Sequence, residues 1–288
     1  MEVNVNSETG KLNSVLLGIA SDRGKDYLNN PKHAEIAAKG EAPTEEQLIK
    51  EVEEFNRILV ENGVQVVRPR NISEQGQIFC RDIGFSIGND FFVCKMKKDN
   101  RQAEISAIDG LINSFKTVHY PPKDAFIEGG DIIVWKNHVF VGIGDRTNEV
   151  GVNFLKSIIG DKKEVIAFPL RVTNEGKSNI LHLDCAFQPV GAKFGIIYKE
   201  GFKNVPEPIY DIFGEKNLIE VSQQEMYDMF PNIFSINPEK VVIEKSFERL
   251  KKELIKRNIE TIEINYGQVS KLGGLLRCST CPINRDDL

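Results

Sequence analysis

DIIVWKNHVFVG, residues 131–142, runs an apolar stretch into a Lys-Asn bend and back out through a second apolar stretch. Such a run encodes a strand, a tight turn and a returning strand, because Asn tolerates the turn while β-branched and aromatic side chains suit the pleat. Three other segments carry the same pattern: FSIGNDFFVC (85–94), AFQPVGAKFGIIY (186–198) and FSINPEKVVIE (234–244), each with Gly, Asn or Pro at the bend. Helix-period stretches follow two of them, NEVGVNFLKSII (148–159) before the apolar run EVIAFPL and EKSFERLKKELIKRN (244–258) before IETIEI. RQAEISAIDGLINSF and then TVHYP predict a further helix and strand. The N-terminal part supplies SVLLGIA as a strand, EEQLIKEVEEFNRILVENG as an amphipathic helix and VQVVRP as the next strand.

The unit is strand, strand, helix, strand, recurring about five times at roughly 50 to 60 residues. One such unit cannot bury both faces, so five packed in a ring would form one domain over residues 1–288, with loops converging on a central cavity. An ordinary doubly wound α/β sheet is the alternative reading of the same elements. Neither a GxGxxG fingerprint nor a GxxxxGK[ST] loop is present to bind a nucleotide.

The chain of 288 residues is 41% hydrophobic, enough for a substantial core. Its net charge of −5 comes from 37 basic and 42 acidic residues, interspersed, so no basic stripe is available for nucleic acid. No stretch resembles a signal peptide or a membrane span, which predicts a cytoplasmic protein with no membrane partner. The five cysteines are expected to be free thiols.

Three distant segments carry chemistry: EGGD with Glu128, HLD with His182 and Asp184, and GGLLRCSTCPINRD with Cys278; Asp82 in FCRD joins them. Cys278 follows Gly273 and Gly274 and stands beside Arg277, whose charge suits a thiolate. Strand alternation would put His182 and Asp184 on one face. Each segment alone has a plain reading: a thiol that only packs, a histidine satisfied at a sheet edge, a turn built on Gly129 and Gly130. Cys281 makes a CxxC pair with Cys278, yet without a second pair a structural zinc site does not follow. What joins the segments is register. Asp82, Glu128 and His182 each stand just ahead of a successive hairpin, and Cys278 stands where a ring would close, so all four should meet at one end of the fold.

The order FCRD, EGGD, GDRTN, HLD and GGLLRCSTCPINRD resembles the guanidino-group-modifying (pentein) superfamily, which includes arginine deiminases, dimethylarginine dimethylaminohydrolases and amidinotransferases. The resemblance spans essentially the whole chain and implies a five-repeat α/β propeller with pseudo-fivefold symmetry. It makes Cys278 the nucleophile, His182 the acid and base, and Glu128 the group that orients His182 and the guanidinium. It gives Asp82 and Asp184 to the guanidinium nitrogens, and Arg101 and Arg146 to the carboxylate of an amino-acid substrate. The implied activity is hydrolysis of arginine or a close derivative through a covalent S-amidino enzyme, with release of ammonia and no metal or organic cofactor. HLD and CSTCPINRD are most like an arginine deiminase, GDRTNEVGVNFL is more like a dimethylargininase, and VLLGIASD is similar to amidinotransferases; an arginine-dependent amidinotransferase or a dimethylarginine dimethylaminohydrolase is the alternative activity, and the intact set of Cys278, His182 and Glu128 argues against a non-catalytic binding protein. Unlike ordinary arginine deiminases, the chain lacks the extra helical domain, for only a charged loop (about 22–45) precedes the first helix. The partner is a small guanidino compound, and a homo-oligomer is left open.

Overall fold

The computed structural model describes residues 1–24 and 30–288. Its strands form five three-stranded sheets. The first begins with β1 (Leu12–Leu17) and β2 (Gln65–Val67), joined in parallel across the helix Glu45–Glu61. The next four are built from contiguous chain: β3 (Gly84–Ile87), β4 (Asp90–Val93) and β5 (Val118–His119); β6 (Ile132–Trp135), β7 (His138–Ile143) and β8 (Glu164–Pro169); β9 (Phe187–Val190), β10 (Phe194–Ile197) and β11 (Leu218–Glu220); β12 (Phe234–Asn237), β13 (Lys240–Glu244) and β14 (Glu260–Ile264). In each the first two strands are an antiparallel hairpin and the third returns parallel to the second. The first sheet lacks its hairpin partner until β15 (Thr280–Arg285) comes back from the far end of the chain and pairs antiparallel with β1, Leu16 facing Cys281. The result is the five-repeat α/β propeller read from the hairpin pattern, and the doubly wound sheet falls away.

Local sequence explains the helices that link the strands. Thr44 accepts from the Gln47 N–H while the Gln47 side chain accepts from the Thr44 N–H, so the helix Glu45–Glu61 starts on a complete capping box. Its apolar stripe, Leu48, Val52, Phe55 and Leu59, is buried, and Phe55 meets Phe234 and Tyr266 edge-on across the core. Glu149–Ile159 is capped by Asn148, whose side chain accepts from the Gly151 N–H.

Two local expectations are corrected. The region expected as a loop, about 22–45, contains the helix Pro31–Ala38, started by Asn30 as N-cap and Pro31 in the first turn; residues 25–29 lie outside the described residues. RQAEISAIDGLINSF is not one α-helix. It winds as a 3₁₀ segment, Asp99–Ile108, and ends in a short α turn, Asp109–Ile112. In a 3₁₀ helix residues three apart lie one above the other, which sets Arg101 and Glu104 on one edge for the ion pair they make at 2.8 Å.

Candidate active site

Each sheet delivers one polar side chain from just ahead of its first hairpin strand. Asp82 precedes β3, Glu128 precedes β6, His182 precedes β9, and Cys278 precedes β15. Asp82, His182 and Cys278 open onto one cavity of about 90 Å³, together with Arg101, Arg146 and Glu104. Glu128 is fully buried immediately behind the histidine, accepting from or sharing a proton with His182 Nε2 at 2.8 Å. Nδ1, the other ring nitrogen, is on the side of Asp82, whose Oδ1 is 3.9 Å away.

The EGGD segment makes this contact geometrically. Glu128 Oε1 accepts from the Lys97 N–H at 2.9 Å, which fixes the carboxylate, and Gly130 lies so close that a Cβ there would come within 2.7 Å of the imidazole ring. The two glycines thus serve close approach rather than a strand bulge. Asp131 completes the motif from below: fully buried, its Oδ1 accepts from the Leu183 N–H at 2.9 Å and ties EGGD to the residue that follows His182.

That tie overturns the expected strand geometry of HLD. His182 caps a single helical turn, Leu183–Ala186, with the Cys185 N–H returning to the His182 carbonyl at 3.1 Å. A turn does not alternate faces, so His182 and Asp184 part company. His182 goes to Glu128. Asp184 goes beneath the thiol, with Oδ2 3.6 Å from Cys278 Sγ and 2.8 Å from Arg277 Nη1.

Arg277 is likewise placed elsewhere than beside the sulfur. Its guanidinium is fully buried, gripped by Glu8 through two bonds (3.0 and 3.3 Å), by Asp184, and by the Ile132 carbonyl at 2.6 Å. Asp184 therefore already holds an internal guanidinium. The two arginines assigned to a substrate carboxylate are also held by carboxylates of the chain. Arg101 reaches Asp82 Oδ2 at 2.7 Å and both Glu104 oxygens at 2.8 and 2.9 Å. Arg146 donates to Glu128 Oε2 at 3.2 Å.

Sequence reasoning missed Glu8, Glu104, Asp131 and Asn232. Asn232 had a legible signal, since it stands directly ahead of the FSIN hairpin as Asp82 stands ahead of FSIG. Glu8 had none, because only the ring closure carries the N-terminal segment under Arg277.

The electrostatics separate the two groups that would exchange protons. Burial pushes the Cys278 thiol well above its ordinary range, and the carboxylates of Asp184 and Asp82 push it further. His182 moves the other way in charge: burial opposes its cation, but Asp82, Asp131 and the bond to Glu128 outweigh that and lift it to about 9. At neutral pH the resting pair is a thiol beside an imidazolium. Glu128, with the same histidine and Arg146 against it, stays ionised despite burial. Burial raises Asp131 to about 7.

Cys281 lies in β15, fully buried, its thiol donating to the Gly84 carbonyl, and all five cysteines are free. Asp82, Glu128 and His182 each place one potential ligand atom within 4.8 Å of the others, a set that could hold a metal ion. A metal there would have to displace the proton that His182 shares with Glu128. No helix among the described residues is long and apolar enough to cross a membrane.

Residues 27–285 match the family model of eukaryotic N,N dimethylarginine dimethylhydrolase. The uncharacterized protein YkgA of Bacillus subtilis (strain 168) is 31% identical over 73% of this chain and 71% of its own length. The L-arginine:L-lysine amidinotransferase of Pseudomonas savastanoi pv. phaseolicola is 24% identical over 82% of this chain and 78% of its own. Among solved structures, the product-bound N-terminal domain of ArgZ, a cyanobacterial arginine dihydrolase of the ornithine-ammonia cycle, superposes with a TM-score of 0.83 at 18% identity, covering 96% of this chain and 98% of that one.

Proposed function

The chain belongs to the N,N dimethylarginine dimethylhydrolase family, within the superfamily of enzymes that modify guanidino groups, and on that premise we propose that it is a cysteine-dependent hydrolase of the guanidinium of arginine or a close derivative. The observation that carries this reading is the oxygen Asp82 Oδ1. It is buried, has no hydrogen-bond partner among the described residues, and belongs to a carboxylate that lines the same cavity as Cys278 and His182. A buried anionic oxygen without a donor costs on the order of 1–3 kcal/mol, which an incoming guanidinium N–H would relieve.

A guanidinium carbon resists attack until its charge is held, and Asp82 supplies that hold beside the sulfur. The cation in turn favours thiolate over thiol, so the high resting position of Cys278 makes the nucleophile depend on its substrate. Sγ adds to the carbon; His182 Nδ1 gives its proton to the departing nitrogen; the carbon–nitrogen bond breaks and an S-amidino enzyme remains. His182, now neutral, takes a proton from water, the oxygen adds to the carbon, and the carbon–sulfur bond breaks to return the thiolate and release a ureido product. If the alkyl-bearing nitrogen departs instead as the free amine, the enzyme keeps an unsubstituted amidino group, and an amine entering in place of water receives it with return of the thiolate, the activity by which the Pseudomonas relative is named.

Arginine-type substrates release ammonia, and dimethylated ones release dimethylamine. The second reading, a dimethylarginine substrate, is favoured by the family match. Asp184, given above to the guanidinium nitrogens of a substrate, already holds Arg277, so it supplies no ground for rejecting a methylated nitrogen. Incubation with arginine, agmatine and asymmetric dimethylarginine, with and without glycine or lysine as acceptor, decides among these. We expect a ureido product that does not require the added amine; product formed only with the amine would make the enzyme a transferase, and consumption of none of the three would sink the reading.

The same electrostatics set a pH profile. Thiolate must form and imidazolium must persist, so kcat/KM should climb about tenfold per pH unit from 6 towards 8 and decline as His182 loses its proton above about 9. A profile level from pH 6 to 9 would exclude this division of roles.

A further inference from the structure

Four of the five positions ahead of a first hairpin strand are accounted for by Asp82, Glu128, His182 and Cys278. The fifth, ahead of β12, is Asn232, and it is fully buried. Its Oδ1 accepts from the backbone N–H groups of Leu275 at 3.2 Å and Cys278 at 3.1 Å. Its Nδ2 then faces Cys278 Sγ at 3.1 Å. The two backbone donors fix which end of the amide is oxygen, so the N–H of the side chain, and not its carbonyl, points at the sulfur. The backbone of Asn232 adds a third tie, accepting from the Arg277 N–H at 3.3 Å.

We propose that Asn232 is the positioning residue of the reacting thiol, clamping the 275–278 turn with its oxygen and holding the sulfur as thiolate with its N–H. The proposal rests on the reading of Cys278 as nucleophile. The surroundings of the sulfur leave this task to the amide. Its other close polar neighbour is Asp184 Oδ2, an anion that opposes a thiolate. The adjacent cation, Arg277, is turned onto Glu8, Asp184 and the Ile132 carbonyl. A neutral donor bonds a thiolate more strongly than a thiol, so the Asn232 N–H favours ionisation without adding a charge that would repel a cationic substrate. Asparagine is also the residue type that can accept twice at one end and donate at the other. Aspartate at this place would keep the backbone clamp but turn a second carboxylate oxygen on the sulfur.

The test reads the thiol directly. The rate of alkylation of Cys278 by iodoacetamide, located by peptide mass, is followed against pH in the native protein, in Asn232→Asp and in Asn232→Ser. Both variants should move the midpoint up by at least one pH unit, slowing alkylation about tenfold or more at fixed pH below it, and kcat should fall more than KM changes. A purely structural role would lower the folded fraction and leave the midpoint of the folded protein in place. Should neither variant fold, the native protein still decides: the side-chain amide resonance of Asn232 should titrate with the midpoint of Cys278 alkylation and lose that titration in Cys278→Ser. An amide that does not titrate with the thiol, or folded variants with the native midpoint, would overturn the inference. Turnover surviving in Cys278→Ser would instead overturn the nucleophile itself, a separate result.

Discussion

Cys278→Ser is expected to lose turnover by at least about ten-thousandfold, whereas Cys281→Ser should keep most of it. The contrast follows from where the two sulfurs point. Cys278 lines the cavity beside Asp82 and His182, while Cys281 is turned into β15 with its thiol on the Gly84 carbonyl. A serine hydroxyl is far harder to ionise than a thiol, and the buried surroundings that already resist a thiolate resist an alkoxide more strongly. Intact-mass measurement adds a second reading, because the native enzyme caught in turnover should carry an amidino group on Cys278 that the serine variant never acquires. Equal losses in both variants would point to a redox pair in place of a nucleophile.

Arg277→Met should cost about 3–5 kcal/mol of stability, the range for removing one partner of a buried ion pair. Its guanidinium is fully buried and is the shared partner of Glu8 and Asp184, so methionine fills the volume and strands two carboxylates. At about 2–4 °C per kcal/mol for a chain of this size, the midpoint of thermal unfolding should fall by about 6–20 °C. Arg57→Ala serves as the control: it also breaks two ion pairs, with Glu54 and Glu61, but on an exposed helix face where water replaces the partner, and it should move the midpoint by at most a few degrees. A melting curve for Arg277→Met that overlays the native one would mean that the buried network contributes nothing net.

The hairpins were legible because each obeys a local rule, an apolar alternation broken by a turn residue, and the ring follows from counting them. The site was legible for a related reason. Asp82, Glu128, His182 and Cys278 each stand in the short segment that leads into a strand, and a ring brings those segments together at one end. What escaped was decided by contacts that no local pattern encodes. HLD reads as an alternating strand, yet the buried Asp131 carboxylate captures the Leu183 N–H and bends it into a turn, sending His182 and Asp184 to different partners. The 3₁₀ segment at Arg101 is tied to Asp82, 19 positions back on the other side of the β3–β4 hairpin. Asp184 was read as open to substrate because its true neighbour, Arg277, lies 93 positions away in sequence. The helix Pro31–Ala38 is the exception, since Asn30 and Pro31 are a local start signal set within a charged stretch.

The pairing of β15 with β1 has a consequence for the order in which the protein is made. Four sheets can form as soon as their contiguous segments leave the ribosome, and they bring Asp82, Glu128 and His182 with them. The remaining sheet waits for a strand separated from β1 by most of the chain, a contact whose loop-closure cost makes it late in folding as well as in synthesis. With the roles proposed above, the nascent protein carries the carboxylates and the imidazole before it places the sulfur of Cys278, and it becomes competent for chemistry only in the step that shuts the ring.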